Sequence, residues 1–158
     1  MLRYFAALAA LPGLLCLGCQ TATPTTAGSP AASSRPPAPA AALFETRWVV
    51  RQLGSQPITV PEGGQEPYLL LRHAGAAEGQ ASCNRFRGSA FTDSTSTLSF
   101  SPLLSTRMAC PAIATEQAFT QALAATHSYR ISGDTLRLYA APTPGATPLA
   151  RLEAVYLR

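Results

Sequence analysis

Cys83 and Cys110, with 26 residues between them, constrain this chain more than any other feature, because what two thiols do depends on the compartment they reach. In a reducing cytosol they would stay available for catalysis or metal binding. In an oxidising envelope compartment, two thiols in one small domain pair most simply with each other. The N-terminus decides between these settings. MLRYFAALAALPGLLCLGC carries one early charge, Arg3, and then an uncharged apolar run interrupted only by Pro12 and Gly13, which is the pattern of an export leader. Residues 4–19 make a run of 16, short of the roughly 20 that span a bilayer as a helix.

The leader ends Leu-Gly-Cys instead of A-x-A, and so resembles a bacterial lipobox, with residues 1–18 as signal peptide and Cys19 as the lipidated residue. Cys16 stands where lipoboxes usually carry leucine. Cys16 and Cys19 also spell C-x-x-C, but the pair closes an apolar leader with no strand before it, which is the wrong setting for a thioredoxin-like redox site. With Cys16 leaving in the leader and Cys19 acylated, Cys83 and Cys110 remain, and a disulfide is expected. It would stabilise the fold by about 3–4 kcal/mol in the chain-entropy model, a large share of the roughly 5–15 kcal/mol typical of a domain. Gln20 follows Cys19, and the absence of aspartate there predicts outer-membrane sorting, facing the periplasm, in a diderm host.

After Cys19, residues 20–42 hold five prolines, no aromatic residue and one charge, Arg35, and cannot bury enough apolar surface to fold. They are expected to form a tether, with ends about 25 Å apart as flexible coil and about 70 Å as polyproline. Residues 43–158 are the length of one domain. Arg3 and Arg35 lie outside that part, leaving ten arginines against eight acidic residues, a net charge of +2. No arginine stripe or basic run stands out in the sequence, so nucleic acid is not an expected partner.

Within the domain, residues 44–53 alternate, with Phe44, Thr46, Trp48 and Val50 on one side and Glu45, Arg47 and Arg51 on the other, the period of a half-buried strand. Gly54, Pro57, Pro61, Gly63, Gly64 and Pro67 then predict a loop. Residues 68–72 form a short apolar strand, 75–79 a turn, 80–91 a strand, 93–97 a turn and 98–100 another strand. Past Cys110 the period changes: Ala112, Thr115, Phe119, Ala122, Leu123 and Thr126 fall on one helical face, with Pro111 suited to the first turn. Residues 128–132 and 135–139 flank Gly133-Asp134, a β-hairpin signal. A proline-rich loop over 141–148 precedes a last strand over 150–157. One helix interrupting strands without alternating with them predicts an α+β class with a mainly antiparallel sheet.

These clusters, taken in order, match a known family. Trp48 in an early strand, Gly79-x3-Cys83-Asn84-Arg85-Phe86-x-Gly88, Leu98-Ser-Phe100, Thr106-Arg-Met-Ala-Cys110, Glu116-x2-Phe119-x3-Leu123 and Gly133-Asp134-x-Leu136-x-Leu138 resemble the META domain of HslJ-like bacterial lipoproteins, over about residues 44–155. The resemblance implies a barrel-like β-fold with one helix placed after the second core cysteine. It also implies export, often with a lipid tether, and an association with heat shock and antibiotic tolerance but no established enzymatic activity. The long tether and the loop over 141–148 are particular to this chain.

For function, the expectation is a non-enzymatic binding or chaperone-like module in envelope stress, monomeric, without cofactor or metal, held to the membrane by its lipid and acting on an envelope protein. Asn84, Arg85 and Arg107 flank the two cysteines and are expected to form one exposed polar patch for a partner or an anionic group. Against it stand a structural reading of Asn84 as a local backbone ligand and two other function classes. An envelope thiol or hydrolytic enzyme would use Cys83 or His127, with His73 as the other candidate base; a periplasmic hydrolase inhibitor would share every feature of the binding module. Four zinc ligands are not present at paired C-x2-C or H-x3-H spacing. Trp48, Phe86, Phe100, Phe119 and Leu123 are candidate core, and a groove between helix and sheet is the alternative use of the same side chains.

Overall fold

The structure, a computed structural model, describes residues 39–60, 62, 64–93, 96–141 and 147–156. The leader, Cys16, Cys19, Gln20 and the tether up to residue 38 lie outside the described residues, as do residues 142–146 of the proline-rich loop.

The chain enters the fold at Ala41, which is buried and whose N–H donates to the Gly133 carbonyl (2.9 Å). Leu43–Glu45 form a bend, with Glu45 at φ 57°, so the first strand begins later than its alternation alone suggests. The bend is held by Trp48, whose indole Nε1 donates to the Leu43 carbonyl (2.9 Å). Strand β1 runs Arg47–Leu53, and β2 (Gln56–Pro57) folds back on its end. Then come β3 (Tyr68–Leu71), β4 (Ala76–Gln80), β5 (Arg85–Thr92), β6 (Leu98–Phe100) and β7 (Leu104–Ser105). Helix α1 (Ile113–Ala124) follows, then the hairpin of β8 (Ser128–Ser132) and β9 (Thr135–Tyr139), and finally β10 (Ala150–Val155).

All pairs are antiparallel, in the order β6-β5-β4-β3-β1-β10-β9-β8, with β7 continuing β6 along β5. The two ends of that order meet. Thr97 bridges Ser128, Leu98 N–H donates to the His127 carbonyl (3.1 Å) and Tyr129 N–H to the Ser96 carbonyl (3.0 Å), which closes the sheet into a near-complete barrel. Closure removes the unpaired edges that an open sheet would expose. Inward side chains from every wall fill it: Trp48 and Val50, Leu69, Phe86, Leu98, Leu136 and Leu138, and Leu152 are all buried. The fold is α+β with an antiparallel, barrel-like sheet and one helix after Cys110, as the sequence and the family resemblance predict.

Two elements differ from the sequence expectation. Residues 76–79, expected as part of a turn, form a strand with Gln80. Ala-Ala-Glu-Gly-Gln has little intrinsic strand preference, and it is extended because β3 pairs along one side of it and β5 along the other. The turn lies just before, where Gly75 sits at φ 81° and donates to the Arg72 carbonyl. The strand expected over 80–91 is likewise divided: Ala81–Asn84 form a tight turn, with Ala81 N–H donating to the Asn84 carbonyl (2.8 Å), and β5 starts at Arg85.

Helix α1 packs Phe119, Ala122 and Leu123 against the barrel, and Phe119 meets Phe86 edge-on with centroids 5.8 Å apart. Burying Phe and Leu side chains of this kind stabilises the fold by about 1.5–3 kcal/mol each. The helix begins two residues later than Pro111 suggests, and its inward face includes Glu116, where the sequence reading placed Thr115. Ile113, by contrast, is exposed.

Candidate functional site

Glu116 explains its own burial. Its carboxylate accepts hydrogen bonds from the backbone N–H of Asn84 (2.9 Å) and from Asn84 Nδ2 (3.0 and 3.1 Å). Asn84 is 1% exposed and engages in both directions. Its Nδ2 also donates to the Met108 carbonyl (3.0 Å), while its Oδ1 accepts from Met108 N–H (2.7 Å) and Thr106 Oγ1 (2.8 Å). One amide therefore ties together the β4–β5 turn, the segment before Cys110 and the first turns of α1. A buried charge is tolerated only when hydrogen-bonded in this way.

Beside this network, Cys83 and Cys110 face each other at disulfide distance with Cα atoms 6.1 Å apart, inside the roughly 4.4–6.8 Å range that the bond requires. Neighbouring Ser82 sits at φ 116°, and its buried Oγ has no hydrogen-bond partner among the described residues. Such a conformation costs a non-glycine residue on the order of 1–3 kcal/mol. The cross-ties on either side hold it there.

Asn84 is thus not part of an exposed patch: burial removes it from any partner's reach, and its reach into backbone 24 residues away makes it structural. Arg85 and Arg107 are both exposed. Their backbones are neighbours, since Thr106 N–H donates to the Arg85 carbonyl (3.1 Å), yet only Arg85 lines the adjoining groove. That groove, about 610 Å³, lies on the outer face of β3, β4, β5 and β7 and is lined by Tyr68, Glu78, Arg85, Arg87 and Leu104 among others. Alternation along β5 sends Phe86 into the core and Arg85 and Arg87 out. Arg87 is the residue that sequence reasoning passed over, though Arg-Phe-Arg spells the alternation.

Gly79 lines the groove and has no room for a side chain. A Cβ there would overlap the Tyr68 carbonyl oxygen and lie 2.7 Å from Phe86 Cζ. Without it, the Tyr68 backbone and the Phe86 ring both approach β4 closely. The guanidinium of Arg47 stacks on Tyr68 at 3.7 Å from the ring centroid, so one wall of the groove is an aromatic ring already carrying a cation. Glu78 pairs with Arg72, whose other partner is Glu45 (2.7 Å each). The arrangement can accept an anionic group through two arginines alongside an apolar contact with Leu104.

A second groove, about 570 Å³, runs between Phe100, Pro102 and Leu103 and the helix face of Thr120, Gln121 and Ala124. Trp48, Phe86, Phe119 and Leu123 are filled core, and Phe100, half-buried, lines this groove. The candidate bases lie elsewhere. His127 Nδ1 is 3.1 Å from the Ala125 carbonyl, and His73 packs its ring on Phe44 (5.3 Å) while its N–H donates to Glu45. Neither lines either groove. Among the described residues no three His, Cys, Asp or Glu side chains converge on a point that could hold a metal, and no helix is long and apolar enough to cross a membrane.

Three comparisons bear on this architecture. No curated protein matches the chain. Among solved structures it is similar to a protein from Burkholderia xenovorans determined by NMR, with 26% identity, a TM-score of 0.55, and coverage of 72% of this chain and 83% of that one. The family model described as META domain matches residues 41–154, from the buried Ala41 at the entry to the fold to the next-to-last residue of β10. The chain belongs to the META-domain family.

Proposed function

We propose that this protein is an envelope lipoprotein anchored through Cys19, whose META domain is a non-enzymatic binding module acting on an envelope partner that presents an anionic group. The observation that carries this reading is the groove lined by Arg85 and Arg87 on the outer face of β3, β4, β5 and β7. Asn84, Glu116 and the Cys83–Cys110 pair cross-tie the segments beneath it, so the arginines are presented on a pre-organised surface, which lowers the cost of binding. A setting in envelope or heat stress, chaperone-like and linked to antibiotic tolerance, follows from the family resemblance.

The same geometry makes a thiol or hydrolytic mechanism the weaker reading. Cys83 faces Cys110, and His127 is turned toward its own backbone. An inhibitor of an envelope hydrolase is one form the binding module could take, with the hydrolase as partner.

The test is affinity capture from envelope extract with the exported full-length chain and with an Arg85→Gln/Arg87→Gln variant. Expected is a partner retained by the first and lost by the second at unchanged melting temperature. Equal retention by both would remove the groove as the site. Mass spectrometry of the mature N-terminus checks the anchor separately, with an acylated Cys19 expected.

A further inference from the structure

Closure of the barrel stops short of one strand. Thr97 and Ser128, with the bonds on either side of them, join β6 to β8, but β7 runs on along β5 and has no strand on its other side among the described residues. Its backbone is paired on one side only. Thr106 N–H donates to the carbonyl of Arg85, the residue opposite it in register (3.1 Å). In an antiparallel ladder bonded and non-bonded pairs alternate, so Leu104 and Arg87 are also a bonded pair, and the N–H and C=O of Ser105 point away from β5. The alternation continues past the strand, where Asn84 Oδ1 holds Met108 N–H (2.7 Å). Ser105 N–H and Arg107 N–H have no hydrogen-bond partner among the described residues. Free donors at two-residue spacing are what an added strand requires.

The side chains leave this edge bare. Residues 104–109 are all exposed, with Leu104 at 71% and Met108 at 65%, and Arg107 is the single charge among them. Proteins ordinarily guard or cover such an edge. Space adjoins it on both faces, because Ser105 lines both grooves: the outer one with Leu104, Arg85 and Arg87, and the second one facing Gln117, Thr120 and Gln121 of α1. A strand laid about 4.7–4.9 Å outside β7 would send alternate side chains to the arginine face and to the helix face.

Charge says which strand fits. Arg85 and Arg87 form no ion pair among the described residues, while Glu78 is bound to Arg72 and Glu116 to Asn84. A second copy of this chain, added edge to edge, would bring another Arg85, Arg87 and Arg107 with no carboxylate to meet them. Like charges brought together across an interface are costly, and an acidic segment is favoured.

We propose that the free edge of β7 receives an extended segment of the envelope partner, added as a further strand through Ser105 and Arg107, with acidic side chains on its outer face meeting Arg85 and Arg87. This rests on the groove reading for the charge of the partner, while the backbone contacts are independent of the two arginines. Main-chain bonds supply affinity in such an addition, and alternate side chains supply selectivity.

The test is amide hydrogen exchange of the full chain, expressed with its leader and held in neutral detergent, read residue by residue by NMR. It is run alone and with short synthetic peptides of alternating glutamate and valine or alternating lysine and valine. Expected alone is fast exchange at Ser105 and Arg107 beside slow exchange at Leu104 and Thr106. The glutamate peptide is expected to slow Ser105 and Arg107 severalfold, and the lysine peptide to leave them unchanged. Ser105→Pro deletes an outward N–H, which an edge strand tolerates, and is expected to abolish the protection of Arg107 at unchanged melting temperature. If that variant folds poorly, the exchange of the unaltered chain still decides. Shifts of the Arg85 and Arg87 side-chain signals without slower exchange at Ser105 and Arg107 overturn strand addition and leave the groove as an anion site. Equal protection by both peptides removes the arginines, so the groove reading falls while strand addition stands. Protection that grows with protein concentration in the absence of peptide overturns the proposal in favour of a second copy, and no change with either peptide overturns it outright.

Discussion

Asn84 is the residue on which the local structure turns. Replacing it with alanine leaves Met108 N–H without its acceptor and removes the two side-chain hydrogen bonds to the Glu116 carboxylate, which retains the backbone N–H of residue 84, and an unsatisfied buried group costs on the order of 1–3 kcal/mol. Asn84→Ala is expected to lower stability by about 3 kcal/mol in urea denaturation. Asn84→Asp, which keeps the shape but turns a donor into a second carboxylate facing Glu116, is expected to cost more. Ser82→Gly has the opposite sign: it relieves a positive φ and deletes a buried hydroxyl without a partner, for an expected gain of about 1 kcal/mol in the same assay. Glu45 carries a pH signature. Its hydrogen bond from Arg72 and the bond from His73 N–H hold its carboxyl below the ordinary carboxylate value. A lowered folded-state pKa means that this contribution is complete above the unfolded value and is lost as pH falls through the folded one. An NMR titration of the Glu45 side chain is expected to show a midpoint below that of an Arg72→Ala variant.

Among the elements, β4 teaches most about what local sequence omits. Its composition carries no strand signal, and its register with β3 and β5 exists only because Gly79 lets the Tyr68 backbone and the Phe86 ring approach. Gly79→Ala puts a methyl into backbone that has no room to yield, and a loss of about 3 kcal/mol in thermal or urea unfolding is expected. Gly88→Ala meets the flexible end of Leu103 and the Ser101 hydroxyl, and is expected to cost less. Helix α1 shows the reverse case. Its existence was legible from Phe119, Ala122 and Leu123, while Glu116 entered only through the motif shared with the family. Hydrophobic reasoning alone favoured Thr115, because the partner that makes a buried Glu116 tolerable lies 32 residues earlier in the chain.

For the whole molecule, the Cys83–Cys110 pair joins the β4–β5 turn to the approach to α1, 27 positions apart. Reduction is expected to lower stability by about 3–4 kcal/mol, the loop-closure value, with unfolding followed by circular dichroism with and without dithiothreitol. The features read from the chain alone were those set by short-range pattern. They include the alternation around Trp48, the helical period after Cys110, the Gly133-Asp134 turn at φ 57°, and the ordered clusters that identify the META domain. Each depends on residues a few positions apart, where backbone period and turn chemistry act directly. Closure through Thr97 and Ser128, the burial of Asn84 and the assembly of one groove from β3, β4, β5 and β7 were decided by register between distant strands. Register depends on which strands become neighbours, and that follows from how the barrel closes around its core, information that no local stretch of the chain contains.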